Sequence, residues 1–407
     1  MNLKKVLFNL FLIFVLFNNV IFNLLPLPEI FNYWDEIIEI IIICMGLLLL
    51  KNKSQREYYV LFLILFFIAS LGIFGNLYFN YVPLNNYVVK DIIAFFKFPI
   101  TLLILKSYNF DEICEKYISR TFIIFVKFMI LTMFFSGIFS LFLDLGMSQN
   151  EIRNGIRPFQ FFFSHPTYLV LNSLFLLLLF DSDFMSCKNN FLYRFMLIVI
   201  LILTMRTKGI VIAALYMFMK YFGATLKKVK IFYWIGSFFV IYFSSIKKIA
   251  LYASYSSSPR EALYRGGILL ANKSFPIGSG FATFASHISA KSNSKVYEFI
   301  KIPYYWVENG NQYAVLGDAG LAYYIGQFGY VGFILFMYFL VRLYKLTTCN
   351  LKNKFPVQIL WLYVIVALTS ESILINNGIE LCFMFLFLSC LNLKKEGEMD
   401  EKNIDNC

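Results

Sequence analysis

The sequence predicts an all-α fold, a polytopic membrane bundle of about ten to twelve helices with one large extracytoplasmic loop. Three observations lead there. Of 407 residues, 59% are hydrophobic and only 15% charged, and the mean hydropathy is +0.69, whereas a soluble domain carries roughly 45–50% apolar and about 25% charged residues. The apolar residues recur in blocks of about twenty, the length that crosses a ~30 Å hydrocarbon core as a helix. The cations between these blocks fall in alternate loops, as the positive-inside rule requires. Soluble enzymes, disordered chains and single-anchor receptors are excluded.

Taken in order, the first span covers 6–26. It follows Lys4 and Lys5 but has no small-residue cleavage site, and further spans succeed it, so it reads as a retained helix rather than a signal peptide. Apolar runs then predict spans at 36–50, 58–79, 87–106, 121–143 and 161–180. A short pair, 191–205 and 207–223, meets at Arg206 and reads as tilted or half-length segments. The last four are 231–246, 319–341, 356–372 and 376–392. The organisation is an N-terminal bundle over 1–246, an extracytoplasmic segment over 247–318, C-terminal spans over 319–392 and a polar cytoplasmic tail over 393–407.

An even span count places both termini on one side, and the charge tally makes that side the cytoplasm. The cytoplasmic tails and loops then hold 21 of the 36 Lys and Arg, against four in the short outer loops: Arg153, Arg157, Arg206 and Lys208. Eight more lie in 247–318, where length exempts them. The net charge of +12 follows from this sidedness and does not imply nucleic acid. Cys44, Cys382 and Cys390 fall in spans and Cys114, Cys187, Cys349 and Cys407 on the cytoplasmic side, so no outer disulfide is expected. With only His165 and His287, a His/Cys metal site is not expected, and no phosphate-binding loop, dinucleotide fingerprint or repeat implies a cofactor.

The four outer cations work against the orientation rule and so require another reason. Arg153 and Arg157 precede one span; Arg206 and Lys208 occupy the turn Thr204-Met-Arg-Thr-Lys-Gly209. Arg in particular presents a planar fork of donors that matches phosphate oxygens; lipid headgroups or interhelix carbonyls are the competing partners. In 247–318, Ser256 to Arg265 starts an amphipathic helix expected at the bilayer surface. Pro276, Gly278 and Gly280 mark a turn where backbone can approach a ligand closely. Tyr297, Tyr304, Tyr305, Trp306 and Tyr313 suit sugar faces or a membrane-interface belt. Within the spans, Lys90 and Lys97 are seven residues apart on one helix face, suited to a lipid phosphate or to Glu39.

The order of these parts over roughly 150–340 resembles the O-antigen polymerase and ligase family of bacterial surface polysaccharide assembly. The motifs are Phe163-x-x-Pro166-x-Tyr168, the Thr204–Gly209 turn, an Arg (Arg260 or Arg265) followed by Pro276-x-Gly278-x-Gly280 and Phe284, and Asp318-x-Gly320 with Gly329-Tyr-Val-Gly332 in the next span. The Thr204–Gly209 turn departs from the family form, so either Arg206 or Lys208 takes the role of the family's Arg. The resemblance implies a metal-independent, cofactor-free glycosyltransferase that moves a glycan from polyprenyl diphosphate to a hydroxyl. It implies membrane lipid as surroundings, with a flippase and a chain-length regulator as partners and no nucleic acid. Arg206, Lys208, Arg265 and Asp318 would be catalytic, with Arg153, Arg157, Arg260, Gly278, Gly280 and His287 binding substrate. Base candidates are His287, Asp318 and Glu261; Asp318 also reads as an N-cap, and His165 as structural. Ligases carry a His just before the span after the long loop, where this chain reads Glu308-Asn-Gly-Asn-Gln-Tyr313, so polymerisation of repeat units is the leading reading. The ligase and a lipid-linked oligosaccharide flippase or transporter are the alternatives.

Overall fold

The computed structural model describes residues 3–25, 27–28, 31, 33–49, 56–108, 110, 117–153, 155–182, 190–222, 259–301, 316–349 and 351–392. The described chain is helical, with two isolated β-bridges in the 148–159 loop. The helices fall on the apolar runs. They are α1 (Leu3–Leu24), α2 (Trp34–Leu49), α3 (Arg56–Phe79), α4 (Asn86–Ser107), α5 (Arg120–Phe139), α6 (Pro166–Leu179), α7 (Asn190–Leu203) and α8 (Thr207–Met217), the last continued by a π turn, Phe218–Phe222. After these come α9 (Pro259–Lys273), the short α10 (His287–Lys291) and α11 (Val296–Phe299), α12 (Gly320–Thr348), α13 (Phe355–Leu368), α14 (Ile373–Asn376) and α15 (Gly378–Cys390). The expected span 231–246, most of the Tyr-rich stretch and the tail 393–407 lie outside the described residues.

Among the described residues four helices, Leu3–Leu24, Glu57–Phe79, Arg120–Phe139 and Gly320–Thr348, are long and apolar enough to cross a membrane. α3 and α5 turn Leu63, Phe66, Phe74, Ile124, Phe128 and Phe135 outward. So wide an exposed apolar surface suits lipid better than water. α6, α13 and α15 are apolar on nearly every face, and they are correspondingly buried on nearly every face at the centre.

The two ends of the bundle differ. α6 is 14 residues long, so its ends stand about 20 Å apart. Beyond its C-terminus, Asp181 pairs with Arg194 (3.2 Å) and Lys220 (2.8 Å), and Asn353 donates to its carbonyl. At its N-terminus lie the turns at 165, 206, 318 and 371, which enclose the cavity described below.

Several local expectations are corrected. Lys97 is buried and pairs with Asp35 (2.7 Å) and Glu36 (3.1 Å), tying α4 to α2, while Lys90 is exposed. The two therefore share no environment. α9 packs along α12. It buries Leu263, Gly266, Gly267 and Leu270 there, so this face meets protein.

The Pro276–Phe284 turn is the second correction. Gly329, with φ +64°, breaks α12, which frees carbonyls of the preceding turn from the helical ladder. Amides of the turn take them up: Ser279 N–H donates to Gly326 O (3.2 Å) and Gly280 N–H to Gln327 O (2.9 Å). Asn76 of α3 brackets Phe281, accepting from its N–H at 2.7 Å and donating to its carbonyl at 2.9 Å. Buried Asp91 of α4 accepts from Ala282 N–H at 2.7 Å. A Cβ at Gly278 would collide with the backbone of Gln327 to Gly329, and its φ is +83°. Gly278 and Gly280 are thus buried in a joint between α3, α4 and α12 and do not face a ligand.

Candidate functional site: a cation-lined cavity

A cavity of about 1340 Å³ opens at the α6 N-terminal end. Its lining unites Arg206 and Lys208 with Arg153, Arg260, Arg265, Asp318 and His287, residues spread over 166 positions of sequence. Arg157 is not among them. Its guanidinium is 46% exposed and pairs with Asp144 at 2.5 Å, which leaves it on the outside of the loop.

Helix starts deliver Arg206, Lys208 and Arg260, whereas Arg153 lies in the bridged loop and Arg265 in the middle of α9. Arg206 is the N-cap of α8, reached by a tight turn in which Met205 takes φ +49°. Lys208, two residues later, is largely enclosed and forms an ion pair with Glu371 in the turn after α13. Glu371 was not singled out in the sequence; the available signal was an acid at the very end of the 356–372 apolar run. Arg260 in the first turn of α9 donates through Nε to the Asp318 carbonyl (2.9 Å) and through Nη2 to its carboxylate (3.4 Å). Asp318 is therefore not an N-cap: the α12 cap is Ala319, with no side-chain bond. Arg265 pairs with Glu261 one turn back (2.6 Å) and is 76% exposed at the rim. His287 packs its ring against Gly317.

The lining holds five cations, Arg153, Arg206, Lys208, Arg260 and Arg265, against three carboxylates, Glu261, Asp318 and Glu371. Each of the three carboxylates has a cation partner, and Arg153 pairs with Glu151 just outside (2.7 Å). Among the described residues Arg206 has no carboxylate partner. Its Nη2 meets Gln149 Oε1 at 2.6 Å and His165 Nε2 at 2.7 Å, and its Nε is buried without a bond. Burial and neighbouring Arg153 pull its pKa down to about 10, which leaves it charged at neutral pH.

His165 stands one residue ahead of α6 and caps it: Nδ1 accepts from Thr167 N–H at 3.2 Å. Burial and then the Arg206 charge push its pKa down to about 4, so the ring is neutral at ordinary pH. A neutral imidazole accepts at one nitrogen and donates at the other. Here both nitrogens face donors, Thr167 N–H and Arg206. One donor is left over, and it lies at the cavity wall. The expectation that His165 is structural describes its cap but misses this second contact.

Burial raises the Asp318 pKa, with Arg260 opposing the shift. Among the described residues no group of three or more His, Cys, Asp and Glu is arranged to hold a metal ion. No protein-family model, curated protein or solved structure matches the chain.

Proposed function

We propose that the cavity binds the diphosphate of a polyprenyl-linked oligosaccharide and that the protein polymerises such repeat units. One observation supports this above the rest: Arg206, charged and with no carboxylate partner among the described residues, shares a contact with neutral His165 that lacks an acceptor. An anionic oxygen entering the cavity supplies that acceptor. Two donors converging on one point are what a phosphate oxygen requires.

In this reading the bundle has ten to twelve spans, both termini are cytoplasmic, and the cavity faces the outer side of the bacterial inner membrane. The segment 247–318 is the extracytoplasmic loop. The acceptor sugar hydroxyl oxygen attacks the anomeric carbon of the lipid-linked glycan. The bond from that carbon to the diphosphate oxygen breaks, and its electron pair leaves with the diphosphate. Arg206, Lys208 and Arg265 stabilise the negative charge that develops there, as preorganised cations do in a water-poor site. Asp318 receives the hydroxyl proton; its raised pKa suits a general base. A flippase that delivers the lipid-linked unit and a chain-length regulator are the implied partners. The absence of a His in 308–313 favours the polymerase over the ligase.

The test is deletion of the gene in its host, with the surface glycan resolved on a gel beside strains complemented by wild type, Arg206→Ala or Arg157→Ala. Loss of the ladder to single-repeat products, rescued by wild type and Arg157→Ala but not by Arg206→Ala, is expected. Full-length polymer held on its lipid carrier would point to the ligase, and single units retained on the cytoplasmic leaflet to a flippase.

A further inference from the structure

Beside the basic cavity lies a second, smaller one of about 160 Å³. The two share Tyr168, Asn376 and Asn377 in their walls, so they are adjoining chambers. Their chemistry is opposite. Among the described residues no cation lines the annex; it is walled by Asn18, Asn19, Asp35, Glu380, Trp34 and Phe22, together with the shared residues and Ile379.

The hydrogen bonds inside the annex fix which atoms remain for a ligand. Glu380 is clamped by two amides, Asn18 Nδ2 at 2.6 Å and Asn377 Nδ2 at 2.5 Å. Each of those amides keeps its carbonyl oxygen as an acceptor. Asn19 is arranged the other way: Oδ1 accepts from Ser164 N–H (2.8 Å) and Oγ–H (3.0 Å), leaving its Nδ2 as a donor. Asp35 gives one oxygen to Lys97. Trp34 meets Phe14 edge-on, with ring centroids 5.2 Å apart, and is part of the annex wall.

We propose that this annex is a glycan subsite that takes one uncharged sugar ring. Sugar hydroxyls donate and accept at once, which matches amide carbonyls, an amide N–H₂ and carboxylates side by side. An indole offers an apolar face to a pyranose. A phosphate or acidic sugar is disfavoured because the nearby cation, Lys97, is already engaged by Asp35 and Glu36 and leaves none to receive it, while the Glu380 carboxyl occupies the wall. The volume holds about five waters at ~30 Å³ each, the scale of a single ring. The inference rests on the glycan-transfer reading for its biological meaning, and it assigns the diphosphate and the sugar to separate chambers.

The test uses the full-length protein in lipid nanodiscs and methyl glycosides of glucose, galactose, mannose, rhamnose, N-acetylglucosamine and N-acetylgalactosamine as probes. Binding is read by saturation-transfer NMR. Inorganic pyrophosphate is titrated separately. At least one glycoside should bind wild type and remain bound in saturating pyrophosphate. Asn19→Asp keeps the acceptor for Ser164 but replaces the free N–H₂, and should weaken that glycoside about tenfold or more with thermal melting and pyrophosphate affinity unchanged. Trp34→Leu should weaken it independently. Binding of no glycoside, equal binding by both variants, or displacement of the glycoside by pyrophosphate would overturn the proposal. Failure of pyrophosphate alone, with glycoside binding intact, would instead remove the diphosphate reading and leave the annex standing.

Discussion

The cation-lined cavity and the Pro276–Phe284 turn draw on one stretch of sequence, since α9 supplies Arg260 and Arg265 to the first and leads directly into the second. Their interiors are opposite. In the turn, loop amides meet the carbonyls freed by the α12 break, and Asn76 and Asp91 bond the amides beside them. In the cavity, Arg206 keeps a buried Nε without a bond and shares a ring nitrogen that has no acceptor to spare. The joint pairs its backbone amides and leaves over only acceptors, Asp91 Oδ1 and Gln327 Oε1, whereas the Arg206 and His165 wall of the cavity leaves over donors, which suit an anion that arrives from outside. Two motifs of equal prominence in the sequence thus separate into scaffold and site by their hydrogen bonding.

The largest expected effect is on the scaffold. Gly278→Val places a branched side chain on the Gln327–Gly329 backbone at φ +83° and should cost about 3 kcal/mol or more. Detergent-solubilised protein should lose its monodisperse size-exclusion peak. Arg206→Ala reverses the pattern: turnover of lipid-linked repeat units should fall about 100-fold or more, with melting temperature nearly unchanged. If instead Arg206→Ala melts the protein and Gly278→Val leaves it folded, the division between the two regions is wrong.

Lys208 sharpens the comparison because it belongs to both categories. Lys208→Met leaves Glu371 without its partner in a largely enclosed site and should cost about 3 kcal/mol. Lys208→Met with Glu371→Gln should recover most of the stability but not the turnover. A double variant as unstable as the single one would show that the ion pair is not what holds this wall.

Smaller effects follow from His165 and Arg157. The native imidazole has a pKa of about 4, below the roughly 6.5 of an unfolded chain. Between these values the unfolded state takes a proton that the native state refuses, so stability is complete above about pH 6.5 and declines as pH falls toward 4. His165→Asn preserves a capping side chain and should shrink the fall in melting temperature between pH 7 and pH 5 by a few degrees. Arg157→Ala removes an exposed pair and should change stability by less than about 1 kcal/mol, with turnover close to wild type.

The helices were legible because length and apolarity alone decide them, and the bounds of α2, α3 and α7 fall within two residues of the apolar runs. Arg153, Arg206 and Lys208 were legible because each breaks a rule of charge placement, and Arg260 and Arg265 because an Arg ahead of the Pro276–Gly280 turn is part of the family resemblance. Gly278 and Gly280 were misread for a physical reason: positive φ and close backbone approach are demanded equally by a ligand and by a neighbouring helix break. Of the two readings of Asp318, the N-cap one fails because Ala319 takes that position and Arg260 reaches the Asp318 carboxylate, a contact that only the fold reveals. Glu371 sits at the end of one apolar run and the annex residues Asn18 and Asn19 lie inside another, where isolated polar residues have no pattern around them. Their role arises from which helix ends the fold gathers.

The central claim is that Arg206 and His165 present surplus donors to an anionic oxygen. The chain has only two histidines, so ¹⁵N-histidine NMR of the full-length protein in nanodiscs, assigned with His165→Asn, addresses it directly. Pyrophosphate should shift the His165 Nε2 resonance and raise the ring's pKa from about 4, and Arg206→Ala should abolish both changes. A His165 signal indifferent to pyrophosphate in the wild-type protein would contradict the account.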